Sequence, residues 1–353
     1  MTTRERFTRI LTKSSLPDRI PLTEISIWPE TVERWRQEGM PADADPYQWL
    51  GLDPITIVWT DSTLRFPEET VCEDEHTVHV RNSDGVLERR WKTKTAVPEK
   101  LEPLIKTPDD WVKVRDRLVF TPDRIAANYA ELWQQSRQSG SWFCLTPGEP
   151  IWWALMAMGF EVALPFMMDY PDCVEEMVAA QAQMSLAMLD AAIALGKPDA
   201  LWYFSDLRYR NGMLFSPKIY REIVLPHVKR VTDACHERGV FTMYHCCGDQ
   251  RPFLPLMIEA GFDVAQPLEA RMGVDIRDLK PIYDRQIVMM GNISVERLSG
   301  TVEEAEEEVR GKVSVAAAGG GYIFHSDHSL PPTIPLVNFQ RALEVAAEAG
   351  AYK

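Results

Sequence analysis

The chain has 353 residues, 45% of them hydrophobic and 25% charged, with a formal charge of -14. These are globular proportions, and so acidic a surface argues against a nucleic-acid partner. Six cysteines in this length make no disulfide scaffold and fit thiols or ligands in a reducing compartment. The charged start, Met1 to Phe7, lacks the apolar stretch of a signal peptide, and the apolar run at 151–158 is too short to cross a bilayer. A cytoplasmic protein with no membrane partner is therefore expected.

In chain order, 20–27 reads as the first strand. Residues 61–98 alternate (Thr77-Val78-His79-Val80, Leu87-Glu88-Arg89-Arg90-Trp91) around a Ser83-Asp84-Gly85 turn, which predicts a β-hairpin insertion covering one end of the fold. From residue 141 onward short apolar runs and long amphipathic ones take turns. Strands are expected at 142–145, 200–204, 240–244, 263–266, 286–290 and 321–324. Helices are expected at 173–194, 217–238, 251–260, 276–283, 302–317 and 335–347. Strand then helix, repeated this often, means a parallel sheet. The class is α/β, a (β/α)8 TIM barrel with an N-terminal extension and the hairpin insertion, forming a single domain over 1–353. A doubly wound sheet is the competing architecture. Gly319-Gly320-Gly321 precedes a strand, so a dinucleotide loop is not expected there. The fifteen methionines read as core filler.

In a barrel the chemistry belongs at the C-terminal ends of the strands. The strand at 240–244 delivers His245, Cys246 and Cys247 to its tip. Side chains two apart point the same way, so His245 and Cys247 can share one ion while Cys246 faces elsewhere. A packed core histidine beside two buried thiols is the plain alternative. A second cluster, His325-Ser326-Asp327-His328, ends the last strand. Three ligands and one open position is the pattern of a catalytic zinc. Glu24, Glu149 and Asp206 end other strands and are candidates for general acid or base, or for supporting a ligand. Asp206 has a plain alternative as a helix cap. Trp28, Trp152, Tyr203, Tyr244 and Asn292 are the candidate substrate-binding residues, with Trp153 and Trp202 beside them; core packing accounts equally well for several of the aromatic ones.

Several stretches resemble the uroporphyrinogen decarboxylase superfamily. They are His245-Cys246-Cys247-Gly248-Asp249, 256–263, Gly291-Asn292-Ile293-Ser294, 319–323, 332–338 and 214–226, with Asp18-Arg19-Ile20-Pro21 more weakly. The resemblance covers most of 140–350 and implies a TIM barrel. Its decarboxylases carry Met-Arg-Gln-Ala-Gly-Arg after the first strand to meet an acidic tetrapyrrole. Here that place reads Thr23-Glu24-Ile25-Ser26-Ile27-Trp28-Pro29-Glu30-Thr31, with no arginine before Arg34, which argues against that reaction.

The other branch comprises cobamide-dependent methyltransferases, whose His-x-Cys and a later Cys hold zinc. The resemblance puts His245 and Cys247 on the first two ligand positions and His328 on the third, with His325 and Asp327 near enough to compete. A second imidazole in place of a thiolate leaves zinc harder and better matched to an oxygen ligand. The resemblance therefore implies methyl transfer from a small methoxylated, aromatic substrate to a Co(I) corrinoid. No Asp-x-His-x-x-Gly cobalamin signature occurs in the sequence, so a separate corrinoid carrier protein is the expected partner. A homodimer is a candidate assembly. The alternatives are a methyltransferase from methylcobamide to a thiol or other acceptor, a metal-free lyase of the decarboxylase type and a non-catalytic binding protein for a tetrapyrrole or corrinoid carrier.

Overall fold

The computed structural model describes residues 1–93, 96–209 and 212–352. Seven parallel strands form one sheet in the order Ile55–Trp59, Trp142–Thr146, Ala200–Ser205, Phe241–Cys246, Val264–Gln266, Val288–Met290 and Tyr322–Ile323. The eighth position belongs to residues around Leu22. Leu22 bridges Phe324 in parallel on one side. On the other side Asp53 N donates to the Leu22 carbonyl at 2.6 Å, and Leu22 N donates to Asp53 Oδ2 at 2.8 Å. The expected first strand at 20–27 is thus reduced to bridges, because a carboxylate takes the place of one strand neighbour. Ile55–Trp59, an apolar run the strand-helix rhythm did not reveal, is the additional strand.

Period-two alternation gives each strand an inner and an outer face. Trp142, Trp202, Met243, Val264, Met290 and Ile323 pack inside the barrel. Tyr203, Tyr244 and Cys246 face outward into the layer between sheet and helices. The N-terminal extension is the helix Thr3–Thr12, started by a Thr2/Glu5 capping box. It lies under the barrel, where the Phe7 ring stacks on Trp142 at 4.9 Å. A fully buried phenylalanine contributes about 1.5–3 kcal/mol of burial free energy. Close by, a second seam joins distant segments: Ile20 N donates to the Gly350 carbonyl, Tyr352 N donates to the Asp18 carbonyl, and Arg19 bridges Ala351.

The helices fall near their expected places, with one break. The expected helix at 217–238 is a short turn, a wider π turn at Tyr220–Val224, and the helix Leu225–Glu237 with Pro226 in its first turn. Pro171–Leu195 is long and apolar enough to cross a membrane, longer than the apolar run the sequence drew attention to. Half of its most apolar window is buried inside the fold, as in a core helix. The insertion is larger than a hairpin: Glu69–Glu73, Thr77–Arg81, Leu87–Trp91 and Glu99–Glu102 form a four-stranded antiparallel sheet. Lys94 and Thr95, within the expected insertion, lie outside the described residues. Its turn residue Asp84 accepts hydrogen bonds from Leu64 N and from Trp153 Nε1, both at 3.0 Å, which ties the insertion to the C-terminal mouth of the barrel.

Candidate active-site cleft and metal centre

Strands Ala200–Ser205 and Phe241–Cys246 pair with Ser205 opposite Cys246. That register brings Asp206, one residue past its strand, beside His245 and Cys247. His245 Nε2 is 3.4 Å from Cys247 Sγ and 3.9 Å from Asp206 Oδ1. The three ligand atoms lie within 4.8 Å of one another. On the neighbouring strand, Gln266 is in register with His245, and its Oε1 meets His245 Nδ1 at 2.5 Å. Nδ1–H donates to that oxygen, which leaves the Nε2 lone pair facing Cys247 and Asp206. The imidazole is also stacked on Phe204, with ring centroids 4.9 Å apart.

Burial pushes the His245 pKa down, keeping the ring neutral. Burial, then the nearby Asp206 and Glu269 carboxylates, push the Cys247 thiol far up. Glu269 is buried against this thiol and paired with Arg271 at 2.8 Å, and its Oε1 has no hydrogen-bond partner among the described residues. A neutral imidazole held from behind, a thiol and the Asp206 carboxylate brought together fit a borderline divalent ion such as zinc, which would deprotonate the thiol.

A cavity of about 340 Å³ opens over this cluster, bordered by Asp206, His245, Cys247, Gln266, His325 and His328. His328 stands edge-on to Trp28, with ring centroids 6.5 Å apart, and its ring lies outside the tight three-atom group. His325 is buried, its Nδ1 donating to the Ser326 carbonyl at 2.7 Å and its Nε2 3.1 Å from Glu24 Oε1. Glu24 Oε2 accepts from Ser326 Oγ at 2.6 Å and from Ser326 N at 3.2 Å. Burial raises Glu24 to about 8 and lowers His325 to about 4, so both are neutral near pH 7. Asp327 is occupied elsewhere: Val295 N and Ala270 N each donate to its carboxylate at 2.9 Å. It ties two loops together, and each of its oxygens already accepts a backbone N–H.

A second chamber, of about 430 Å³, shares Trp59, Phe204, Asp206 and His245 with the first. Glu149 and Trp152 are on its far wall. Glu149 caps the helix Pro150–Met158, its Oε2 accepting from Trp152 N at 2.6 Å. Burial raises this carboxyl to about 7. Trp152 also borders a third cavity, of about 540 Å³, between that helix and the insertion strand Glu99–Glu102.

The other expected substrate contacts are placed differently. Tyr203 and Tyr244 are fully buried on the outer faces of their strands, and the Tyr244 hydroxyl accepts from Ser205 Oγ at 3.0 Å. Asn292 is buried and spends its amide on the backbone: Nδ2 donates to the Leu268 and Val274 carbonyls, and Oδ1 accepts from Ile276 N. These three support the framework instead of lining the cleft. Trp28 reaches it through His328, while Trp59 and Phe204, which the sequence reading passed over, form its walls. Gln266 was legible as a strand end, but its place behind His245 depends on strand register.

The family model described as Uroporphyrinogen decarboxylase (URO-D) matches residues 147–349, more than half of the chain. The uroporphyrinogen decarboxylase of Trichlorobacter lovleyi is 24% identical over 172 residues, covering 48% of this chain and 47% of that protein. The Pelobacter propionicus enzyme of the same name is 26% identical over 172 residues, covering 49% and 48%. The chain thus spans about half the length of the curated relatives it matches. A methyltransferase from Methanosarcina mazei has a similar fold, with a TM-score of 0.67 at 17% identity over 99% of each chain. The barrel, its strand-end residues and the matched segment lead to one assignment: the chain belongs to the uroporphyrinogen decarboxylase family.

Proposed function

We propose that this protein is a cytoplasmic, zinc-dependent methyltransferase that takes the methyl group of a small methoxylated aromatic compound and passes it to a Co(I) corrinoid on a separate carrier protein. The observation that carries this reading is the convergence of His245, Cys247 and Asp206 at the barrel mouth, beside chambers walled by Trp59, Phe204 and Trp152. His245 and Cys247 would hold the ion, with His328, which borders the same cavity, as the third ligand. Zinc held there supplies Lewis acidity toward an ether oxygen. Phe204, Trp59 and Trp152 offer flat apolar surface to an aromatic ring. Gln266 keeps the His245 tautomer that presents Nε2. The likeness in fold to a methyltransferase supports the same direction.

The names of the curated relatives favour a second reading, a metal-free decarboxylase. The local chemistry weighs against it: where the decarboxylase motif supplies arginines, this chain has Glu24, buried against His325 and Ser326. Elemental analysis of the purified protein separates the two. The expected result is about one zinc per chain, lost in Cys247→Ala. The zinc-loaded protein should then convert methoxyarenes and cob(I)alamin to phenols and methylcobalamin. Absence of zinc under metal-replete conditions, or methylation of thiols alone, would overturn the proposal.

A further inference from the structure

One consequence of ether demethylation is that a proton must reach the departing oxygen. Asp327 is engaged by backbone amides and Glu269 by Arg271, and the remaining carboxyls near the strand ends differ in their surroundings. Asp206 is half exposed, with its Oδ1 3.9 Å from His245 Nε2. Glu24 is tied to Ser326 and His325. Glu149 lines the chamber that shares Asp206 and His245 with the metal cavity, and it is 1% exposed. Its Oε2 is occupied by Trp152 N, while its Oε1 has no hydrogen-bond partner among the described residues.

No lysine or arginine is among the described residues lining this chamber, so no cation there holds the carboxyl ionised. The titratable groups facing Glu149 are the hydroxyls of Tyr203, Tyr220 and Tyr244, each itself pushed up by burial, with Asp84, Asp206 and His245 on the chamber wall. The Tyr244 hydroxyl favours the ionised carboxylate, and burial outweighs it. With Oε2 accepting an amide proton, the acid proton belongs on Oε1, a buried donor without an acceptor.

Resting on the demethylase reading, we propose that Glu149 is the catalytic residue that protonates the leaving oxygen, its carboxyl held by the Trp152 backbone N–H. The O–CH3 bond breaks with its electron pair staying on oxygen. That oxygen takes the Glu149 proton and becomes a hydroxyl. The methyl carbon bonds to the Co(I) corrinoid acceptor, which supplies both electrons of the new bond. Glu149 is left as a carboxylate and recovers a proton from solvent through the open chamber.

The test uses the full chain, zinc-loaded, with free cob(I)alamin and anisoles of increasing electron withdrawal. Glu149→Gln keeps an oxygen to cap Trp152 N, so the fold is preserved. It should slow unactivated anisole about 10²- to 10⁴-fold and nitro-substituted anisole far less, because a good leaving group needs no acid. An equal loss across the series, or no loss, would overturn the proposal. Infrared difference spectra of the metal-free protein, unsubstituted minus Glu149→Gln, give an independent readout: a protonated-carboxyl C=O band near neutral pH, from which the contribution of neutral Glu24 cancels. Tyr244→Phe should make that band persist to higher pH. Absence of that difference band would overturn the assignment even if the enzyme demethylates. Failure of the unsubstituted protein on every ether, with the band present, would instead overturn the demethylase reading and this role with it.

Discussion

Gln266 stands behind His245 on the adjacent strand, and its side-chain oxygen fixes which imidazole nitrogen faces the cleft. Such a partner orients a ligand without touching the ion. Gln266→Leu should therefore lower zinc affinity about 10- to 100-fold while leaving stoichiometry at saturation unchanged. Competition with a zinc chelator measures this. An unchanged affinity would mean that His245 is held by Phe204 stacking alone.

His328 and Asp206 border the ion position from different strands, and their roles separate by substitution. His328→Ala should weaken zinc binding by more than the loss of Gln266 does, roughly 100-fold or beyond. Asp206→Asn should keep its zinc and lose turnover. If the aspartate variant were the one to lose metal, the carboxylate and not the second imidazole would complete the ligand set.

Glu24 and His325 form a buried pair whose members are both neutral near pH 7, and this links stability to pH. Glu24 titrates near 4.5 when unfolded and about 8 when folded. Its unfolded form releases a proton that the folded form keeps, so its contribution is greatest below pH 4.5 and is lost as pH rises toward about 8. His325, lowered from 6.5 to about 4, works oppositely: its contribution is present above 6.5 and is lost as pH falls toward about 4. Relative to the unsubstituted protein, Glu24→Gln should gain stability progressively between pH 4.5 and about 8. Urea midpoints across that range test the sign.

Gly291 follows the strand Val288–Met290 with φ of 123°, and a Cβ there would fall 1.9 Å from the Pro267 carbonyl oxygen. Neither strand end can yield without moving Gln266 or Asn292. Gly291→Ala should cost more than about 4 kcal/mol, or prevent soluble expression. A melting temperature near that of the unsubstituted protein would show that the loop can refold around the methyl group.

Phe7 fills the bottom of the barrel from a helix outside the sheet. Phe7→Ala should cost about 3–5 kcal/mol and leave the ligand cluster intact, because the plug and the mouth are at opposite ends of the strands. Denaturant unfolding beside zinc binding by the folded fraction checks both halves.

The barrel was legible where apolar strands alternate with amphipathic helices, and His245 and Cys247 were legible because period two puts both on one side of a strand tip. Ile55–Trp59 was hidden because an antiparallel insertion, and no helix, follows it. Asp206 was visible as a carboxyl at a strand end, but its closeness to His245 comes from the pairing of Ser205 with Cys246. Alternation separates Tyr203 from Phe204 without telling which of the two faces the barrel axis. Tyr203, Tyr244 and Asn292 were therefore placed in the cleft, whereas packing and backbone hydrogen bonds claim them.

The seam between residues 18–20 and 350–352, together with the Leu22–Phe324 bridge, constrains the order of assembly. These pairings join segments more than 300 positions apart, so they are the contacts a growing or refolding chain reaches last. His325 and His328 come into register with His245 only through that final closure. A half-made barrel can present His245 and Cys247 but not the opposite imidazoles, so zinc binding of the proposed kind would reach full strength only once the ring has shut.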